Sequence, residues 1–211
     1  MTLAADRRRR RNFGWLRLAS LLGIAFAALP VTRPAWAQDS RVQAADVEAA
    51  YLVNFLRYTQ WPPQRFATSN APIVLTVVGS PQVAFRLRAV AAAAGPIDGR
   101  TIEVRSLPSP RGSRQAPLDS ERDREATQLL RQSHLVYFHD GAGPPNPRVL
   151  SDLWGQPVLT VGNSRGFAAS GGMLGLVRSG GNIVFEANPV AIRNSGLVVS
   201  AKVLKLARVA R

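Results

Sequence analysis

The sequence has 211 residues, 46% hydrophobic and 19% charged, so it can bury one sizeable core and is not disordered over most of its length. Its formal net charge is +14, but seven arginines lie in residues 1–33, and residues 38–211 keep 20 basic and 12 acidic side chains, a net charge of +8. That balance does not by itself indicate nucleic-acid binding. The absence of cysteine excludes disulfides, thiolate zinc sites and thiol nucleophiles.

The first 37 residues have the layout of a secretory signal, with an arginine-rich start followed by an apolar run at 18–29. The run is too short to cross a bilayer as a permanent helix. Ala35 and Ala37 are the small residues that flank a predicted cut after Ala37. Adjacent arginines also resemble a twin-arginine export signal, so the export route stays open. We therefore predict a signal peptide at 1–37, one domain at 38–211, a periplasmic location and no permanent membrane span.

Apolar spacing in the first half of the domain alternates between helix and strand patterns. A helix is predicted over 42–59, with Glu48 facing water, and it ends before the Trp61-Pro62-Pro63 segment. The apolar run Ile73–Val78 predicts a strand covered on both faces, and Pro81–Ala94 predicts a helix. Further strands are predicted at 101–107, 134–139 and 157–161, with a Pro- and Gly-rich loop before the last. This alternation indicates a largely parallel sheet with helices on both faces.

The pattern changes near the C-terminus. Two strand-like runs at 173–177 and 183–187 flank a glycine-rich turn, which indicates a hairpin. A short helix is predicted over Pro189–Asn194 and a final helix over 200–209. The predicted fold class is α/β: a single three-layer α/β/α domain with a mostly parallel Rossmann-like sheet, a C-terminal β-hairpin and a terminal helix.

One segment, 162–166, matches the G-x-S-x-G nucleophile elbow of hydrolases. The elbow requires a helix after Ser164 and a histidine later in the chain. Here Gly171-Gly172 interrupt the segment, and His134 and His139 both precede the serine. A turn at the carboxyl edge of a sheet is the preferred interpretation, and a serine hydrolase using Ser164 is the less favoured alternative. The two histidines are an odd number of positions apart on one predicted strand and face opposite ways, so they are not expected to bind one metal ion together. No metal site and no cofactor are predicted.

Two further features suit either a core or an interface. Tyr51, Phe55 and Tyr58 share a helical stripe, with Trp61 beyond it. Glu186 lies within a predicted strand, on the face opposite its apolar neighbours. Its side chain either pairs with an arginine such as that at position 193 or presents a charge to a partner.

Six sequence blocks, in this order, resemble the YfiR family: AAYLVNFLRYTQWP at 49–62, GRTIEVR at 99–105, SHLVYF at 133–138, PVLTVGNSRGFAASGGMLGL at 157–176, IVFEANPVAI at 183–192 and SGLVVSAKVLKLAR at 195–208. The resemblance implies an exported, non-enzymatic regulator that binds and represses the periplasmic sensing domain of an inner-membrane diguanylate cyclase. Such repression lowers cyclic di-GMP and biofilm formation. Similar domains serve as input modules of sensor kinases, so a sensor or ligand-binding module for another membrane signalling protein is the alternative.

Relatives often carry cysteines near the positions of Thr76, Ser133 and 167–171, and their disulfides are linked to redox control. This chain has no cysteine, so disulfide switching is chemically impossible for it.

The F-E-x-N block is the predicted place of contact with the partner. The candidate contact residues are Glu186, Asn188 and Ile192, with Met173 and Leu174 beside them. An interface there would combine an apolar centre with one charge that sets the register. A homodimer and a small-molecule receptor at the same sheet edge remain open alternatives, as do the identity of the partner and the releasing signal.

Overall fold

The computed structural model describes residues 35–108, 121–180 and 182–210. Most of the predicted signal segment therefore lies outside the described residues. Ala35 and Ala37 lie in the first turn of the first helix, and the predicted cut after Ala37 stays a prediction. None of the helices in the described part is long and apolar enough to span a membrane.

The described part of the chain contains helices and strands in mixed order. Its α-helices are α1 (Ala35–Arg57), α2 (Pro81–Ala94), α3 (Glu121–Gln132), α4 (Pro147–Leu153), α5 (Pro189–Asn194) and α6 (Ala201–Leu204). Its strands are β1 (Thr59–Gln60), β2 (Ile73–Val78), β3 (Ile102–Leu107), β4 (Leu135–Phe138), β5 (Leu159–Gly162), β6 (Leu174–Ser179), β7 (Asn182–Ala187), β8 (Val198–Val199) and β9 (Arg208–Val209).

The main sheet has seven strands in the order β3-β2-β4-β5-β6-β7-β9. The first five strands in this order, β3-β2-β4-β5-β6, run parallel to one another, whereas β6 and β7 form an antiparallel pair. β6 begins where β5 ends, since Leu174 pairs with Val161 and Gly175 with Gly162. The β6–β7 hairpin therefore extends beyond the carboxyl ends of β4 and β5. A mostly parallel sheet with this hairpin confirms the predicted fold class.

Helices cover the sheet on both faces and give the domain its three layers. On one face, Leu52 and Phe55 of α1 and Leu87 of α2 pack in a single cluster with alternate strand residues. On the other face, Leu130 of α3 and Leu153 of α4 belong to a smaller cluster. Strand β2 is buried at all six positions because it lies between both layers, which explains its unbroken apolar run.

Two corrections concern α1. The predicted helix 42–59 begins earlier, at Ala35, and ends at Arg57. Thr59 instead pairs with Val199 in a separate two-stranded sheet, so tertiary pairing ends the helix before the prolines do. Glu48, which was expected to face water, is only 4% exposed.

Two further corrections concern the C-terminal segment and the segment before β5. The predicted final helix 200–209 is wrong beyond Leu204, because β9 pairs with β7 and the Ala210 backbone N–H donates to the Ala187 carbonyl at 2.9 Å. The segment expected to be a loop before β5 contains α4. Its first residue, Pro147, suits a helix start, and the Asn146 side chain accepts from the Arg148 N–H.

Candidate functional site

The β6–β7 hairpin presents one covered and one uncovered face. Leu176 and Phe185 are Cα partners on the face that packs into the larger core cluster. Because side chains alternate along a strand, Val177, Val184 and Glu186 lie on the opposite face. Val177 and Val184 are Cα partners, both half-buried, and neither belongs to a core cluster. We call this surface of Val177, Val184 and Glu186 the hairpin outer face.

Glu186 is the charged residue of the hairpin outer face. Its Cα partner across the hairpin is Gly175, and its carboxylate lies 3.8 Å from the place where a Cβ on that glycine would stand. Because Gly175 has no side chain, the Glu186 carboxylate has room to lie against the sheet. Within the described residues, Glu186 has no hydrogen bond and no ion pair, so pairing with Arg193 does not occur there. The face offers a half-buried carboxylate beside an apolar valine pair.

The other four predicted contact residues take structural positions. Met173, Leu174 and Ile192 are 3%, 0% and 5% exposed and pack in the larger core cluster. Their side chains are buried in this conformation, and their contact with a partner stays a prediction.

Asn188 uses its amide internally. Its Oδ1 accepts from the Val190 and Ala191 N–H groups and caps α5, while its Nδ2 donates to the Ala168 carbonyl at 3.0 Å. Its backbone N–H donates to the Met173 carbonyl. Asn188 therefore fixes the junction between β7, α5 and the loop after β5, and whether it also contacts a partner stays a prediction.

A polar cluster around the buried carboxylate of Glu48 joins α1 to β4, to the loop after β5 and to β6 near the turn of the hairpin. Glu48 Oε2 accepts from the Tyr137 hydroxyl at 2.8 Å and from Asn163 Nδ2 at 3.4 Å. Glu48 Oε1 lies 3.6 Å from the Arg178 guanidinium. Burial, and secondly the adjacent carboxylate, raise the pKa of Tyr137 far above its usual value, so its hydroxyl remains a donor. Asn163 Oδ1 also accepts from the Asp140 N–H, which ties the loops after β4 and β5 together.

Sequence reasoning missed this cluster. Glu48 sits in a helix with other charged residues around it, and a charged residue on an amphipathic helix is normally solvated. Asn163 belongs to the G-N-S-R-G segment, whose motif predicts a role for the serine and none for the asparagine. Only the alternation of Val177 and Val184 with core residues could have indicated the uncovered hairpin face from the sequence.

The segment around Ser164 does not have the structure of a nucleophile elbow. Residues 164–171 form turns without a helix. A Cβ on Gly162 or Gly172 would collide with the ring of Phe167, so both glycines leave space for that ring. Ser164 borders a cavity of about 240 Å³, whose lining includes Arg165, Phe167 and Ser170.

Neither histidine belongs to the residues that line this cavity. His139 Nδ1 accepts from the Gly141 N–H. His134 lies before β4, at the opposite end of that strand, where its Nδ1 accepts from the Val74 N–H at 3.0 Å. The two histidines therefore lie at opposite ends of β4, and the described residues contain no cluster of three metal-ligating side chains.

The comparison with family models gives one match. The family model described as DUF4154, YfiR/HmsC-like, matches residues 45–208. No curated protein matches the chain. The matched region includes the sheet, the hairpin and the polar cluster around Glu48, and the family consists of periplasmic, non-enzymatic regulators of diguanylate cyclases. The chain belongs to the YfiR/HmsC-like family.

Proposed function

We propose that this protein binds the periplasmic sensing domain of an inner-membrane diguanylate cyclase and holds the enzyme inactive. Membership of the YfiR/HmsC-like family supports the class of partner. Repression requires that the protein bind the inactive conformation of the sensing domain more tightly than the active one. Lower cyclic di-GMP and reduced biofilm formation follow from that preference.

The hairpin outer face is the proposed contact surface, and the observation that carries this choice is the unpaired carboxylate of Glu186. A half-buried carboxylate without a basic partner gains most when a partner supplies a cation, because hydrogen bonds to charged groups are among the stronger ones. Val177 and Val184 supply the apolar contact next to it. This arrangement matches the usual layout of an interface, with an apolar centre and a charge that sets the register.

The test measures cyclic di-GMP in cells that produce the cyclase together with the wild-type protein or a variant. Glu186→Arg and Val184→Arg change the hairpin outer face without entering the core, so both should fold and both should raise cyclic di-GMP. Glu125→Arg is the matched control, since Glu125 is exposed on α3 and undergoes the same charge change. Full repression by folded Glu186→Arg and Val184→Arg proteins would contradict the proposed surface.

Export is the second part of the proposal. We propose that residues 1–37 direct the chain to the periplasm and are removed after Ala37, leaving Gln38 as the first residue. The cut would shorten α1 by three residues at its N-terminus, well before Glu48. Mass spectrometry of the protein recovered from the periplasm tests this, and an intact N-terminus there would contradict it. Blocking the twin-arginine pathway alone distinguishes the two export routes.

A further inference from the structure

The C-terminal segment presents apolar side chains to solvent. Val198, Leu206 and Val209 are 61%, 77% and 68% exposed, which is unusual for large aliphatic residues so close together in the chain. Tyr58, 45% exposed, lies beside this segment because its carbonyl accepts from the Ser200 N–H at 2.8 Å. In the two-stranded sheet β1–β8, Val198 pairs with Gln60 and both are exposed, whereas Thr59 and Val199 are buried. Tyr58 directly precedes β1.

The same segment is basic. Lys202, Lys205 and Arg208 are exposed, and the sequence contains no acidic residue after Glu186. Within the described residues, none of these three cations forms an ion pair. Arg208 is the Cα partner of Glu186 and so lies on the side of the sheet that carries the hairpin outer face, while Val209 lies on the other side of β9. We therefore name only Tyr58, Val198, Lys202, Lys205 and Leu206 the C-terminal patch.

The inward side chains of this segment orient the patch. Val203 is buried in the larger core cluster, and Leu204 and Ala207 pack against that cluster. Lys202, Lys205 and Leu206 therefore project from the other side of the short α6 segment. The patch combines basic and aliphatic side chains on an outer surface of the domain, with no acidic side chain in the segment.

We propose that the C-terminal patch docks on the surface of a bilayer that contains anionic phospholipid. Lysine is depleted at the centres of protein–protein interfaces, which argues against a protein as the main occupant. Segments that lie in a membrane interface combine lysine or arginine with aliphatic residues, and tyrosine is enriched at that depth. Such docking would hold the protein at the membrane through a surface that is distinct from the hairpin outer face.

The number of basic residues in the patch sets the expected strength of its binding to the anionic bilayer. Each basic residue close to an anionic surface strengthens binding about fivefold, so removing two should weaken it about 25-fold. Leu206 adds a short apolar insertion. Binding should also weaken as salt rises, because the charges in the patch are exposed.

The experiment uses protein purified from the periplasm and vesicles of phosphatidylethanolamine, with or without phosphatidylglycerol. Cosedimentation should be seen only with phosphatidylglycerol present. The double variant Lys202→Gln/Lys205→Gln should lose about 25-fold in binding, and Leu206→Ser should lose several-fold at unchanged charge. The control Arg148→Gln/Arg165→Gln removes the same charge from exposed residues elsewhere and should bind as the wild type does. Thermal melting verifies that each variant folds.

Two outcomes would overturn the proposal. The first is no binding to phosphatidylglycerol vesicles. In that case, if Lys202→Gln/Lys205→Gln abolishes binding of the detergent-solubilised cyclase or self-association in sedimentation velocity, the patch is assigned to a protein. The second is an equal loss in both double variants, which would indicate attraction by net charge alone. Repression in cells with Glu186→Arg reports on the hairpin outer face, so the two proposals can fail separately.

Discussion

The hydroxyls of Thr76 and Ser133 share a buried hydrogen bond of 2.7 Å. Ser133 also donates to the Leu129 carbonyl at 3.1 Å, so Thr76 is the donor in the shared bond. The resemblance to the YfiR family implies that relatives carry cysteines near these positions. In this chain a polar contact joins β2 to the end of α3 where a covalent bond is chemically impossible.

Removing the acceptor of this bond should cost more than removing the donor. Ser133→Ala leaves the buried Thr76 hydroxyl without its partner, and we expect a loss of about 1–3 kcal/mol in the free energy of unfolding. Thr76→Val removes the donor, while Ser133 keeps its bond to Leu129, so the loss should be about 1 kcal/mol or less. Urea unfolding of both variants measures the difference. A larger loss for Thr76→Val would contradict the assignment of donor and acceptor.

The same contact should accept a disulfide. The double variant Thr76→Cys/Ser133→Cys, oxidised in the periplasm, should gain about 2–4 kcal/mol in the free energy of unfolding, because the bond would close a long loop in the unfolded chain. The gain should disappear on addition of dithiothreitol. Thermal melting with and without reductant measures it, and the two single-cysteine variants are the controls. Free thiols that persist in the oxidised, folded double variant would show that the side chains do not meet as described.

The buried carboxylate of Glu48 should stabilise the junction between α1 and β4. Glu48→Ala leaves the Tyr137 hydroxyl buried without its acceptor, and a loss of about 2–3 kcal/mol is expected. Tyr137→Phe removes the donor but leaves Asn163 and Arg178 beside the carboxylate. A double-mutant cycle by urea unfolding should give a coupling of about 1–2 kcal/mol between Glu48 and Tyr137. Additive losses would mean that the two residues do not interact in solution.

The sequence predicts those elements whose cause is local. Ile73–Val78 and Pro81–Ala94 have the predicted bounds, because the strand is buried on both faces and the helix has Ser80 as its N-cap, Pro81 at its start and Gly95 after its end. Strands β1, β8 and β9 were not predicted, since each has two residues and exists only through a distant partner. Glu48 was placed in water for the same reason: Tyr137 is 89 positions away.

The predicted contact set shows the same division. Strand alternation correctly separates Glu186 from Phe185, because alternation is a local property of the backbone. Met173 and Ile192 are predicted to contact a partner and lie in the core, since burial depends on how distant elements pack together. Periodicity can assign a residue to one side of an element, but it does not show whether another element covers that side.

Stability should depend on pH through His134. Burial, aided by the nearby charges of Arg65 and Arg100, lowers the pKa of His134 to about 4 from an ordinary value of 6.5. Between these values the unfolded chain binds more protons than the folded one, so stability is fully present above pH 6.5 and is lost as the pH falls towards 4. The loss approaches about 3 kcal/mol at pH 4. Urea unfolding between pH 4 and 7.5 measures it.

The control for this pH dependence is substitution of each histidine. His134→Asn keeps an acceptor near the Val74 N–H but does not titrate, so the part of the pH dependence that His134 causes should vanish. His139→Gln removes the histidine at the other end of β4 and should leave the dependence as in the wild type. An unchanged pH profile in His134→Asn would assign the dependence to carboxylates instead.

The ring of Phe167 should explain why Gly162 and Gly172 are needed. A methyl group at either position would collide with the ring, which is 2% exposed and packs in the smaller core cluster. Gly172→Ala should therefore cost about 1–3 kcal/mol in the free energy of unfolding. If the ring is the cause, Phe167→Leu should cost less in a Gly172→Ala background than in the wild type, because the smaller side chain relieves the collision. Equal costs of Phe167→Leu in the two backgrounds, measured by urea unfolding, would show that the glycine is needed for another reason.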